Sequence, residues 1–524
     1  MSNLNFFRVL QSGGVGGEPP TTSQFTFTTD STDTYVPFLS FNIGPTQTYP
    51  FPNNITWSST GGLTTSGTGN SINCSGNTGN AVITVVYEPT SNGSNLRNVV
   101  QLEISTTDFG ITDIDWSLIG TSLARIFTSY SSLTSYEINN SSVQTLSVNN
   151  VKANSSLTTL DISDCTILYE LTAINNLSLS SIDLTNSSIL RFLSLGDCNF
   201  SSIDLSDQPI LRELKIQNNN FSTFPDLSNN TDLTLLYCND NQLTSLDVST
   251  NTALITLYCY SNSLTSLDVS NNTALIELDC YNNQLTSLDV TNNTALEELR
   301  CYINQLTSLD TSNNTVLREL ECRSNSLTSL NLSNNTALSF LICNNNSLTG
   351  TLNVTNNTNL GRIDCDSNSI TSLDVSNNTA LTLLDCYTNQ LTSLDVSNNT
   401  ALTTLRCGNN SLTSLDVTNG SLLLLSAGGN NLTSINISSN SNIESVSLTT
   451  NNLTSLDISS NPNIDSLIVN SNNLTTNAID DIFSDLAAGV VSNGLLRIDV
   501  GRSIPGSDAD KATLVGRGWT ITEL

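Results

Sequence analysis

The sequence predicts a mainly β solenoid, preceded by a β-sandwich and closed by a small α/β cap. Three observations predict it. From about Leu233 to Leu474 one unit recurs nearly word for word, LxxLxCxxNxLTSLDVSNNTA. Cysteine keeps its beat at Cys238, Cys259, Cys280, Cys301, Cys322, Cys343, Cys365, Cys386 and Cys407, where seven of the eight intervals are 21 residues and one is 22. The same slot accepts Ala427, Leu448 and Val469 downstream and Ile162, Leu195 and Ile216 upstream, so it is a buried apolar position rather than a reactive one.

A fixed period with LxxLxLxxN is the leucine-rich-repeat signature. Each unit is also doubled within itself, since LTSLDVSNN copies the spacing of LxxLxCxxN: Leu243, Leu246 and Val248 mirror Leu254, Leu257 and Cys259. This predicts two short extended segments per turn, one on each side of a narrow solenoid, with little helix. Over roughly residues 130–475 the chain resembles the nested 21-residue class of leucine-rich repeats found in internalin-like bacterial and bacteriophage surface proteins. That resemblance implies the fold and a recognition role, not a ligand. An asparagine ladder from Asn219 through Asn304 to Asn472 fits the same geometry, because a buried amide can satisfy backbone groups of its own turn and the next. Cys165 and Cys198 take that slot further upstream. The inward cysteine column is expected to hold free thiols, since parallel stacked neighbours do not offer disulfide geometry.

The domains follow from breaks in the period. Residues 1–20 are a Gly/Pro-rich segment expected to act as anchor or linker. Residues 21–108 alternate strand-like runs with Gly, Asn and Pro turns, which predicts a β-sandwich; ITWSS and AVITVVYEP are similar to immunoglobulin-like surface domains, with Trp57 in the core and Cys74 unpartnered. Residues 109–156 read as degenerate opening repeats, and residues 157–475 as the solenoid. In residues 476–524, NAIDDIFSDLAAG and DADKATLVGRG read as helices, and LLRIDVG and WTITEL as strands, together a cap over the last open turn.

Composition narrows the function. The chain has 524 residues, 16 basic and 46 acidic side chains, no histidine and a net charge of −30. Nucleic-acid binding is disfavoured, because Lys152, Lys215, Lys511 and the arginines form no basic stripe. Lacking histidine, the chain has no Ser-His-Asp or Cys-His catalysis and no His-bearing zinc site. No apolar run approaches a membrane span, and the first residues lack the long apolar stretch of a secretory signal. The many Asn-Asn-Thr triplets, which match glycosylation acceptors, read as turn residues. No catalysis and no cofactor are expected.

Variation within near-identical repeats shows where individuality is written. Outward positions flanking the cysteine slot carry Tyr237, Tyr258, Tyr260, Tyr281, Arg300, Tyr302, Arg323, Tyr387 and Arg406, the residue types favoured at binding hot spots. Glu277, Asp279, Glu297, Glu298, Glu319 and Glu321 lie on the same strands. The other side is monotonous, with an Asp at each LDV. Stacked about 5 Å apart, carboxylates such as Asp247, Asp268, Asp289 and Asp310 should raise one another's pKa, hold cations, or lean on Ser and Thr hydroxyls. The first four are only weak metal candidates.

The expected function is recognition without catalysis. Surface-type modules without a secretion signal favour a bacteriophage virion spike or fibre, its N-terminal segment held by other virion proteins and its repeats meeting a host protein or glycan. The alternatives are a bacterial cell-surface adhesin and an intracellular protein-binding scaffold. A homo-oligomer is compatible with each.

Overall fold

The computed structural model describes residues 157–499 and 508–524 throughout, with strands and short stretches before them between residues 38 and 148. The chain divides into two compact units, Met1–Leu264 and Thr265–Leu524. Each is built from the repeat in the same way.

A turn of the second unit shows how. Leu296, Leu299, Cys301 and Leu306 are fully buried and Leu309 nearly so, while the residues between them reach the surface. The three-residue strand Glu298–Arg300 lies parallel to Glu319–Glu321, with Leu299 opposite Leu320. Identical residues therefore stack on identical residues, and one apolar column per slot makes the core. Such pairings run from Glu277–Asp279 to Ser466–Ile468. In the first unit the parallel strands run from Arg125–Ser129 through Thr145–Val148, Glu170–Thr172, Phe192–Ser194, Glu213–Lys215 and Leu235–Tyr237 to Thr256–Tyr258.

Two asparagine ladders close the turns. The predicted one is present: Asn304 Nδ2 donates to the carbonyls of Cys280 and Cys301, both at 3.1 Å, and its Oδ1 accepts the Leu285 N–H at 3.0 Å. The second Asn of each Asn-Asn-Thr forms another, and Cys165, expected in the first ladder, takes a place in this one, its N–H bonded to the Ile162 carbonyl and its own carbonyl to the Leu168 N–H. Asn293 is fully buried and donates to the carbonyls of Val269 (3.0 Å) and Asn272 (2.9 Å) in the preceding turn. Its backbone joins two successive tight turns, with Asn293 N bonded to Val290 O and Leu296 N to Asn293 O. The first Asn stays exposed; Asn292 reaches the Ser270 carbonyl. Where Thr311 replaces the valine of LDV, its hydroxyl donates to Asn335 Oδ1 at 3.0 Å, a bond that valine cannot make.

The second extended segment differs from expectation, since it seldom pairs into strands. Each LDV aspartate accepts the N–H two residues on, as Asp310 does from Ser312 at 2.9 Å, and this local turn competes with ladder pairing. Strand pairing occurs at Ser135–Glu137 beside Thr159–Asp161, as a single bridge between Asp395 and Asp416, and at Thr349–Asn353 beside Ser369–Asp374, where the extra residue of the 22-residue turn falls. Gly350, at φ +70°, absorbs a register shift there.

Ile162, expected in the cysteine slot, instead lies in the LDV column, where Asp161 accepts the Ser163 N–H. The residue two past each cysteine slot from Ala173 to Val469 adopts the left-handed conformation. Asn282 and Asn345 do so at little cost, but Ile303 sits there too, at φ 52°. A β-branched side chain is strained in this region by about 1–2 kcal/mol. Ile303 is also 44% exposed and so gains little from packing. Ile303→Asn is expected to stabilise the second unit by about 1 kcal/mol, read as a higher urea midpoint. A midpoint at or below wild type would show that Ile303 packs more than its exposure indicates.

The end of the second unit is capped. Helix α1, Thr476–Ala488, starts at Thr475, whose hydroxyl accepts the Ala478 N–H, and buries Ile479, Ile482, Phe483 and Leu486. Strand Leu495–Ile498 extends the ladder, helix α2 spans Asp508–Gly516, and Thr520–Glu523 pairs parallel with Leu495–Ile498. Trp519 is buried and its indole donates to the Val491 carbonyl at 3.1 Å. Gly494 allows this, since a Cβ there would lie 2.5 Å from the indole.

In the first unit, Ala81–Glu88 pairs antiparallel with both Phe38–Ile43 and Asn98–Thr106, and the latter runs parallel to Arg125–Ser129. The expected sandwich core, with Trp57 and Cys74, lies outside the described residues, as does the segment 1–20. Among the described residues no helix is long and apolar enough to cross a membrane.

Candidate functional site

A three-residue strand turns its middle residue inward and its two ends outward. The end residues and the residue just past the cysteine therefore form columns on the outer face of the strands. In the first unit one column runs Lys215, Tyr237, Tyr258. The two tyrosine rings stack with centroids 4.4 Å apart and planes 7° apart, and Lys215 Nζ lies 5.5 Å from the centre of the Tyr237 ring. Tyr260, on the far side of Cys259, tilts toward Tyr258 with centroids 6.4 Å apart. Lys215 was not among the expected site residues. Extending the column one turn upstream, past Ile216, would have found it.

The second unit repeats the motif in the column after the cysteine. Tyr281 and Tyr302 stack at 4.2 Å and 7°, and the Arg323 guanidinium caps Tyr302 at 3.9 Å. Beside this stack Arg300 gathers carboxylates: Glu298 and Glu319 at 2.7 Å, Asp279 at 3.2 Å and Glu321 at 3.8 Å. Asp279 departs from expectation, because it is only 7% exposed rather than presented to solvent. Burial pushes its carboxyl up to about 6, with Arg300 opposing and Glu277 and Glu298 assisting. Burial raises Glu321 as well, helped by Glu319. Tyr387 and Arg406 form a separate group linked by Asp385, which accepts the Tyr387 N–H at 3.2 Å and Arg406 Nη1 at 3.4 Å. The Tyr387 ring lies over Gly408, where a Cβ would come within 2.7 Å of it, and its hydroxyl accepts from Asn409 at 2.8 Å. The structure thus gathers the expected residues into three groups rather than one continuous strip.

Comparison with known proteins places this architecture. No protein-family model matches the chain, and none of the curated proteins matches its sequence. Among solved structures, the functional domain of InlJ from Listeria monocytogenes, which includes a cysteine ladder, is 34% identical at a TM-score of 0.57; the match covers 63% of this chain and 74% of that one. The chain belongs to the internalin-like leucine-rich-repeat proteins. YopM from Yersinia enterocolitica (24% identity, TM-score 0.60, 71% of this chain and 78% of that one) shares the fold. So does the Arabidopsis receptor kinase HAESA, solved in complex with the peptide hormone IDA and the co-receptor SERK1 (21%, TM-score 0.60, 80% and 78%).

This internalin-like chain has a cysteine column of its own. Every described cysteine is free and buried. Burial raises the thiols of Cys322 and Cys407 to about 12, so they stay protonated and act as small apolar side chains. The aspartate ladder resolves among its three expected outcomes. Asp247, Asp268, Asp289 and Asp310 each accept the N–H two residues on, at 2.9–3.0 Å, and Thr291 adds its hydroxyl to Asp289 at 2.6 Å. These bonds hold Asp247, Asp289 and Asp310 below the usual carboxylate range, the opposite of mutual repulsion winning. Among the described residues no group of three or more His, Cys, Asp or Glu side chains is placed to hold a metal ion.

Proposed function

We propose that the chain is a non-catalytic adhesion and recognition protein that binds a protein partner at a bacterial cell surface through the outer face of its strands. One observation carries this reading. In repeats that are otherwise near copies, the Tyr281–Tyr302–Arg323 stack is a rigid, preassembled aromatic and cationic platform. Stacking holds both rings in place before binding, so little side-chain entropy remains to be lost on association. The carboxylates beside it are engaged with Arg300, which suits a recognition surface better than acid–base catalysis. HAESA, whose fold is shared, is solved with a peptide hormone bound.

The finer elements of the reading are an immunoglobulin-like sandwich at 21–108 and an anchor at 1–20. Likeness to InlJ favours a cell surface over a virion, and a virion spike bound to other particle proteins is the rival. Fractionation decides between them. Mass spectrometry should recover the chain with washed cell envelopes; recovery in fixed ratio with capsid protein would establish the spike instead. For the binding face, purified chain is applied to cells and measured by flow cytometry. Tyr281→Ala with Tyr302→Ala is expected to weaken binding at least about tenfold with an unchanged urea midpoint, since hot-spot aromatics contribute about 2 kcal/mol each. Pretreating the cells with protease should abolish binding and periodate should not. Undiminished binding by the double variant would reject this surface, and loss on periodate treatment would make the ligand a glycan.

A further inference from the structure

On the outer face of the first unit, the strands Glu170–Thr172, Phe192–Ser194 and Glu213–Lys215 carry a hollow of about 310 Å³. Side-chain size creates it. Register sets Glu170, Phe192 and Glu213 in one column and Thr172, Ser194 and Lys215 in the next. Thr172 and Ser194 are small, and they leave space between the Phe192 ring and the long Lys215. Tyr169 meets Phe192 edge to face, with centroids 6.5 Å apart and planes at 75°, and so steadies the ring. Neighbouring strands lie about 4.8 Å apart, so the backbones bearing the two glutamates stand about 10 Å apart with the ring between them. Glu170 accepts the Thr145 hydroxyl at 3.4 Å, and Glu213 pairs with Lys215 at 2.9 Å.

We propose that this hollow is a binding site for one cationic side chain, an arginine or lysine of the partner protein, laid over Phe192 between Glu170 and Glu213. Three features fit that chemistry. The lining holds two carboxylates against one ammonium. The ring face attracts a cation, and a planar guanidinium stacks on it as well. Lys215 Nζ, while paired with Glu213, already lies 5.5 Å from the centre of the Tyr237 ring, so it keeps that contact when an incoming charge takes Glu213. Arg191 and Arg212, exposed immediately before their strands, oppose a run of basic residues. The occupant is therefore an isolated basic residue with neutral or acidic neighbours.

The proposal rests on reading the strand face as a protein-binding surface, but a small probe tests it separately, so either can fail alone. N-acetyl-arginine amide and its neutral isostere N-acetyl-citrulline amide are titrated into the full chain and followed by saturation-transfer NMR. The arginine compound is expected to bind at least about tenfold tighter, the scale of a charge-assisted bond. Glu170→Gln with Glu213→Gln should erase that preference while keeping the shape of the hollow. Ser194→Phe, an outward position, should block both compounds by filling the space. Equal binding of the two compounds, or a preference that survives the double glutamine change, would overturn the assignment. Displacement of either by maltotriose would make the hollow a sugar site and overturn it too.

Discussion

Replacing Asn304 by alanine is expected to cost about 2 kcal/mol. The sum follows from where its bonds go. The Leu285 N–H loses its acceptor outright in a part-buried position. The Cys280 carbonyl keeps Asn283, and the Cys301 carbonyl keeps Asn325, so each loses only one of two donors. One orphaned donor costs about 1–3 kcal/mol, and each weakened carbonyl adds a fraction of that. Asn304→Leu should fare no better, because added apolar volume supplies neither donor nor acceptor. Asn304→Cys should recover part of the loss, since Cys198 already fills this slot and donates its S–H to the Ala173 carbonyl at 3.1 Å. The check is the urea midpoint together with hydrogen exchange at the Leu285 amide. If that amide exchanges no faster in the alanine variant, the ladder is not what holds neighbouring turns together.

The core was legible in the sequence because each inward slot admits only apolar residues, and twenty-odd residues per turn leave few ways to place them. Leu299, Cys301 and Leu306 could be read as buried from spacing alone. Asn304 could be read because only one Asn falls in its slot. Asn292 and Asn293 could not be told apart, since their neighbours are alike and only the path of the tight turn decides which amide points inward. Single-strand reading also could not show which columns meet. Tyr237 and Tyr258 stack before the cysteine, and Tyr281 and Tyr302 after it, so the same residue type occupies two different columns. Asp279 was missed for a related reason. Alternation marks it as outward, but Arg300 on the next strand folds over it, and a long side chain on a neighbouring turn leaves no trace in the local pattern. The hollow at Phe192 is harder still, because it depends on small residues that attract no notice.

Stability in the second unit is expected to rise as pH falls from about 7 to about 5, then to decline below about 4, the ordinary carboxylate value. Two sets of carboxylates pull in opposite directions. Asp289, Asp310, Asp374, Asp395, Asp416 and Asp457 are held below their ordinary value by bonds from the residue two positions on. A lowered pKa stabilises the fold above the unfolded value near 4, and that stabilisation is lost as protons bind at lower pH. Asp279, Glu321, Asp366 and Asp385 are raised, first of all by burial. Between the ordinary value and the raised one, the folded chain holds a proton that the unfolded chain has released, so acidifying through that window stabilises it. For Asp279, raised to about 6, the gain is on the order of 2 kcal/mol between pH 7 and pH 4. Reduced self-repulsion in a chain of net charge −30 acts in the same direction, so the midpoint alone does not identify the group. Asp279→Asn separates the two causes. It keeps a polar partner for Arg300 while removing the buried charge, so the variant should exceed wild type at pH 7 and show a flatter limb between pH 7 and pH 5. A wild-type midpoint that falls steadily from pH 7 downward would mean that Arg300 compensates Asp279 in full. The carboxylates around Arg300 would then be ordinary ion-pair partners, and the face would present the same charge to a partner at pH 5 as at pH 7.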